Sequence, residues 1–145
     1  DITIIFPVHP RTEKMLKKFG MRNNFSLHNR KDIVNIQKNK INCVDPLNYI
    51  DFIKLISEAE LVLTDSGGIQ EETTVLNVPC LTLRENTERP VTIEKGTNVL
   101  AGCRSEKIVA LAKMILMKKT KKVSIPKFWD GKAAKRIVKI LLKEA

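Results

Sequence analysis

The sequence predicts an α/β fold, a Rossmann-like parallel sheet with helices on both faces. Three observations predict it. Short apolar runs alternate with amphipathic stretches along the whole chain. One of these runs, Leu61-Val62-Leu63, is bounded by Glu60 and by Thr64-Asp65, which suits a strand buried on both faces. Ser66-Gly67-Gly68 then leads into strong helix formers over residues 69–76, giving the unit strand, glycine turn, helix.

Taken in order, residues 2–8 read as a buried strand stopped by Pro7-Val8-His9-Pro10. Ligands collect at the C-terminal edge of open α/β sheets, so His9 is the histidine of interest; in isolation such a residue is a structural hydrogen-bonder. Thr12 is the expected cap of a helix through Met15, Leu16 and Phe19, ending at Gly20. Residues 22–40 are polar and weakly periodic, a loop-rich stretch in which His28 receives no role. Ile41-Asn42-Cys43-Val44 is a second strand, and Asp45-Pro46 is a helix start with an acid at the cap and proline just inside. Tyr49, Phe52, Ile53 and Ile56 recur at i, i+3, i+4 and i+7, which puts Phe52 on a core-facing stripe.

Beyond the central unit, Asn77-Val78-Pro79 ends the helix and Cys80-Leu81-Thr82-Leu83 forms the next strand. Residues 84–90 are a polar loop at the sheet edge. Val99-Leu100-Ala101-Gly102 is the last strand, Ser105 the cap of a helix striped by Ile108, Leu111, Ala112, Ile115 and Leu116. Residues 118–122 are a charged connection to a terminal helix with Ala134, Ile137, Val138 and Leu141 on one packing side.

With 145 residues, 43% of them hydrophobic, a single domain over residues 1–145 is expected. The chain opens strand-like without an initiator Met, as though cut just upstream of a sheet strand. The net charge of +10 is spread over separate helix faces and aromatics make up only 5%, too few for stacking platforms, so no nucleic-acid partner is expected. No apolar run is long enough to span a bilayer and no signal leader is visible, so a soluble intracellular protein without membrane contact is expected. Cys43, Cys80 and Cys103 form no C-x-x-C pair and read as reduced, mostly buried side chains; no metal is expected.

The chemistry concentrates at the glycine turn. There is neither a G-x-G-x-x-G nor a Gly-Lys-Ser/Thr motif. A helix start following two glycines nevertheless offers unpaired N–H groups that a ligand can approach closely, and an anion is their natural occupant. The bland reading is an ordinary strand-to-helix turn with Ser66 as N-cap. Glu71 and Glu72 sit early in the helix, where its dipole favours acids. Glu72 lies roughly 6 Å along the axis from Gly68, displaced enough to accept from ribose hydroxyls, while Glu71 reads as solvated. Arg89 is the cation for an oxyanion, with Glu88 or Glu94 as competing partners.

The block Asp65-Ser66-Gly67-Gly68-Ile69-Gln70-Glu71-Glu72, with Leu83-Arg84 and Thr87-Glu88-Arg89-Pro90 after it, resembles the signature of the UDP-N-acetylglucosamine 2-epimerases. Phe6-Pro7-Val8-His9-Pro10-Arg11-Thr12, Gly131 and Arg136-Ile137 resemble further landmarks, so the likeness covers nearly the whole chain. It implies the C-terminal lobe of a two-lobed enzyme of the glycosyltransferase-B type, with the N-terminal lobe and its proton-transfer carboxylates outside this sequence. The complete enzyme would interconvert UDP-N-acetylglucosamine and UDP-N-acetylmannosamine in the cytoplasm, for cell-surface polysaccharide, by eliminating UDP and adding it back. Ser66, Gly67 and Gly68 would bind the diphosphate, Glu72 the ribose, Phe52 and Leu47 the base, and Arg89 the nucleotide end. His9 would border the cleft near an activator site. No cofactor is implied; the partners are UDP-N-acetylglucosamine or UDP, the chain's own N-terminal lobe and a second copy. This chain alone would bind UDP weakly without turnover. A hydrolysing epimerase and a non-catalytic nucleotide-sugar-binding module stay open as alternatives.

Overall fold

The computed structural model describes residues 2–21, 25–28, 38, 40–117 and 125–144. They fall into two compact units, Asp1–Phe52 and Ile53–Ala145.

The first unit is built on three parallel strands, β1 (Ile4–Pro7), β2 (Phe25–His28) and β3 (Ile41–Val44), in the order β1-β3-β2. Ile4 pairs with Ile41 and Phe25 with Ile41 on the other side, so β3 is central. Its centre is polar: Asn42 is fully buried, and its Nδ2 donates to Ile4 O (3.2 Å) and Lys40 O (3.1 Å). β2 lies inside the stretch expected to be loop-rich, most of which, residues 22–24, 29–37 and 39, falls outside the described residues.

Helix α1 (Pro10–Lys18) starts three residues earlier than expected. His9, not Thr12, is its N-cap, and the His9 Nδ1 accepts the Arg11 N–H at 3.2 Å. Proline at the first helical position needs no N–H partner, which is why the helix begins there. Gly20, at φ +67°, donates its N–H to Lys17 O and closes the helix as expected. Helix α2 (Tyr49–Ser57), in which the division between the units falls, starts later than Asp45-Pro46 suggested. Asn48 is the capping residue: its Oδ1 accepts the Asp51 N–H (2.9 Å) and its Nδ2 donates to Asp51 Oδ2 (2.7 Å). Two bonds from one side chain fix the helix start more firmly than a lone acid before proline. On the expected apolar stripe Ile56 is buried, Phe52 and Ile53 are half-buried, and Tyr49 is exposed.

The second unit carries the parallel strands β4 (Val62–Thr64), β5 (Cys80–Thr82) and β6 (Asn98–Leu100) in the order β4-β5-β6. Val62 pairs with Cys80 and Cys80 with Asn98. β5 is wholly buried, but β4 is an edge strand whose Leu63 is 48% exposed, so burial on both faces holds for β5 and not for β4. Helix α3 (Gly67–Leu76) follows β4, and Asn77 ends it in the left-handed conformation (φ 57°). A short helix, α4 (Pro90–Glu94), precedes β6; Pro90 at its first position is the only sequence signal for it. Helices α5 (Ser105–Met117) and α6 (Ala133–Glu144) complete the unit. Ser105 is inside α5, since Arg104 O accepts the Ile108 N–H, and the Ser105 hydroxyl donates to Glu106 instead of capping. The side of α6 expected to pack is exposed at Ile137, Val138 and Leu141. The lysine-rich connection at residues 118–122 lies outside the described residues. Among the described residues no helix is long and apolar enough to cross a membrane.

What seats α3 is polar. Its buried side chains are Gln70, Thr73 and Thr74, against buried Asn98 of β6 and Thr92 of α4. Asn98 Nδ2 donates to Gln70 O (2.9 Å), Thr73 Oγ1 to Asn98 Oδ1 (3.3 Å), and Thr74 Oγ1 to Gln70 O (2.9 Å). Gly96 lets this layer close: a Cβ there would meet Thr74 Oγ1 at 2.5 Å and press on the Thr92 carbonyl.

Candidate functional site

The site forms at the C-terminal end of β4, where Asp65 and Ser66 hand the chain to α3. Gly67 and Gly68 are not turn residues. They are the first two residues of the helix, and Ser66 before them is extended (φ −81°, ψ 129°). Glycine is a poor helix former, but the first turn has no i−4 bond to weaken, so the sequence tolerates it there. Because α3 starts at Gly67, Glu71 and Glu72 fall in its second turn, beyond the strongest effect of the dipole.

Ser66 makes no side-chain capping bond, contrary to the bland reading of the turn. Its own N–H donates to Thr64 Oγ1 at 3.1 Å, so that amide is engaged. The Gln70 N–H is the first in the helix to find its carbonyl, Ser66 O at 3.3 Å. The amides of Gly67, Gly68 and Ile69 have no acceptor among the described residues. Three main-chain donors at a helix start form a positive end with room for an anion. Beside Gly68 the space is open, the nearest atom to a would-be Cβ being Ser66 Oγ at 3.9 Å. Beside Gly67 it is not, because Glu88 Oε1 lies 2.8 Å from where a Cβ would sit.

Residues 83–89 border this helix end. Arg84 Nη1 donates to Glu88 Oε2 at 2.7 Å, and Arg89 Nε pairs with Glu71 Oε1 at 3.0 Å. The partner of Arg89 is therefore Glu71 of α3, neither Glu88 nor Glu94, and Glu71 is not merely solvated. Thr87 ties the loop to the helix: its hydroxyl donates to Gln70 Oε1 (2.6 Å) and accepts the Arg89 N–H (3.0 Å). Gln70 is fully buried and its Nε2 has no partner among the described residues. The Glu88 carboxyl is held below its usual range by its own backbone N–H and by Arg84 and Arg89, so it is charged near neutrality. Glu72 is half-buried and makes no hydrogen bond or ion pair among the described residues.

Of the residues singled out from sequence, the second unit thus brings Ser66, Gly67, Gly68, Glu72 and Arg89 to α3 and the loop facing it. His9, Leu47 and Phe52 belong to the first unit. His9 is exposed and caps α1; Leu47 and Phe52 are half-buried. Arg84, Thr87 and Gln70 received no role from sequence, Glu71 only that of a solvated acid and Glu88 that of a competing partner for Arg89. Their signal was present in the two motif blocks, but only as residue types, since the pairings that give them roles join positions up to 18 apart. Among the described residues no group of three or more His, Cys, Asp or Glu could hold a metal.

Fold and site define a Rossmann-like parallel α/β chain of the glycosyltransferase-B type, in which an edge strand delivers an uncapped helix start. The family model described as UDP-N-acetylglucosamine 2-epimerase matches residues 1–142, and the chain belongs to that family. It is 43% identical over 141 residues to the UDP-N-acetylglucosamine 2-epimerase of Methanocaldococcus jannaschii, covering 97% of this chain and 35% of that protein. To the Bacillus subtilis UDP-N-acetylglucosamine 2-epimerase it is 37% identical over 150 residues, with 98% and 35% covered. The crystal structure of the Methanocaldococcus jannaschii UDP-GlcNAc 2-epimerase in complex with UDP-GlcNAc and UDP superposes with a TM-score of 0.76 at 42% identity, covering 97% of this chain and 36% of that one. The chain spans about a third of the length of the curated relatives it matches.

Proposed function

We propose that this chain is the UDP-binding, C-terminal part of a cytoplasmic UDP-N-acetylglucosamine 2-epimerase. The complete protein interconverts UDP-N-acetylglucosamine and UDP-N-acetylmannosamine by eliminating UDP and adding it back to the other face of C2. The observation that carries the reading is the uncapped start of α3, with the Gly67, Gly68 and Ile69 amides lacking acceptors among the described residues. These donors hold the diphosphate, and the Ser66 hydroxyl, unlike its engaged amide, is free to assist. Negative charge builds on the departing diphosphate, and donors already oriented toward it stabilise that charge without reorganising. The same contacts keep UDP in place for the return step.

Glu72 accepts from the ribose hydroxyls, a role supported by its lack of any partner within the described chain. Arg89, tied to Glu71, secures the nucleotide end. Leu47 and Phe52 are assigned to the base and His9 to the border of the cleft on the family resemblance. The 145 residues act as one UDP-binding domain, whose partners are the chain's own N-terminal lobe and a second copy. The proton-transfer carboxylates belong to that other lobe.

Calorimetry with UDP on the wild type and on Glu72→Ala tests the reading. Losing even one hydrogen bond to a charged acceptor, at about 1.5–3 kcal/mol, weakens binding roughly 10- to 150-fold. Equal affinities would show that the ribose lies elsewhere, and no heat of binding in either protein would remove the cradle itself.

A further inference from the structure

We propose that Glu88 sets the threshold for anion binding at this site, as a resident carboxylate beside the start of α3 that a phosphate group must push aside. The inference rests on the reading of α3 as the diphosphate cradle, and it comes from the unequal surroundings of the two glycines.

The flank of Gly68 is open, whereas that of Gly67 is filled by Glu88 Oε1, 2.8 Å from the position a Cβ would take. The absent side chain at 67 therefore makes room for the protein's own anion before any ligand's. The second oxygen, Oε2, accepts from Arg84 Nη1 at 2.7 Å. Arg89 next to it is committed to Glu71 at 3.0 Å. Both arginines beside the helix start are thus neutralised by carboxylates of the chain.

A phosphate entering the mouth meets a like charge and gains Arg84 only by taking it from Glu88. Repulsion at this range raises the threshold for every anion, because the two like charges lie side by side and compete for Arg84. An anion with no other anchor, such as inorganic pyrophosphate, has only the helix-start amides to offset it. A nucleoside diphosphate brings the further contacts of its ribose and base and exchanges with the carboxylate. Glu88 thereby sets a threshold that nucleotide-linked diphosphates clear and free ones do not. The loop is suited to the exchange: the Glu88 side chain is half in solvent, whereas Thr87 holds the loop to Gln70 independently of it.

The test is calorimetry of the full chain, wild type and Glu88→Gln, with UDP and with inorganic pyrophosphate. Glutamine keeps the size and still accepts from Arg84, so the variant removes the charge and little else. The expected result is an affinity for both ligands raised about fivefold, the scale of one charge at a helix start, with pyrophosphate binding becoming measurable. Wild type that binds UDP while Glu88→Gln binds it equally or more weakly overturns the resident-anion role and leaves the cradle standing. Failure of both proteins to bind either ligand overturns the cradle and this inference with it.

Discussion

Replacing Gly96 by alanine tests how rigidly α3, and with it the site, is held. The new Cβ would lie 2.5 Å from Thr74 Oγ1 and 2.8 Å from Thr74 Cγ2, and closer still to the Thr92 carbonyl. Neither neighbour yields easily. The carbonyl is main chain of α4, and the Thr74 hydroxyl is bonded to Gln70 O at 2.9 Å. Overpacking of this kind destabilises by about 1–3 kcal/mol, and rotating Thr74 away forfeits a further hydrogen bond of roughly 0.5–1.5 kcal/mol. Together these give about 2–4 kcal/mol, a fall in melting temperature of roughly 6–12 °C for a chain of this length. Gly68→Ala is the internal comparison, because its Cβ would meet nothing nearer than Ser66 Oγ at 3.9 Å. Thermal unfolding followed by circular dichroism measures both. A Gly96→Ala melting point within about 2 °C of wild type, or a larger loss for Gly68→Ala, would refute the packing argument.

Two further outcomes follow from the electrostatics. Hydrogen bonds from Arg136 and from the Lys132 N–H hold the Asp130 carboxyl at about 2, below its ordinary value near 4. A carboxyl depressed in the folded state stabilises above its unfolded pKa and loses that contribution as pH falls through the folded one, here between about pH 4 and 2. NMR titration of Asp130 gives the midpoint directly, and a value near 4 would mean that the Arg136 fork is not formed in solution. Burial pushes the Cys80 thiol up to about 11, and Cys43 is also buried and raised, whereas Cys103 is exposed. A thiol reagent at pH 8 therefore labels Cys103 first; labelling of Cys80 at the same rate would contradict its burial.

Much of this was legible in the sequence because it is local. The strand Val62–Thr64 and the helix after it lie within two residues of their expected positions, and Asn77 and Gly20 end their helices as their residue types foretell. The seat of α3 was not legible. Hydrophobic periodicity marks a buried face by apolar residues, but here Gln70, Thr73 and Thr74 are inside while Val75 is exposed. The glycine pair is legible in the sequence and its geometry is not, since a sequence does not distinguish a glycine that turns the chain from one that leaves space for a distant carboxylate. The Arg89–Glu71 and Arg84–Glu88 pairs were hidden for a related reason, as several acids were within reach of each arginine in sequence terms. For α6 the apolar stripe was legible and its burial was not, because nothing in a stripe states what covers it.

The amide and hydroxyl layer under α3 has a consequence for how such a protein can diversify. An oily interface lets a helix slip or swivel by small steps, exchanging one set of contacts for an equivalent one. Directional bonds from Asn98 and Thr74 to a single carbonyl, that of Gln70, allow one setting only. New ligand preferences are therefore easier to evolve in the facing segment around Thr87 and Glu88 than in the helix, whose amides stay aimed where they are.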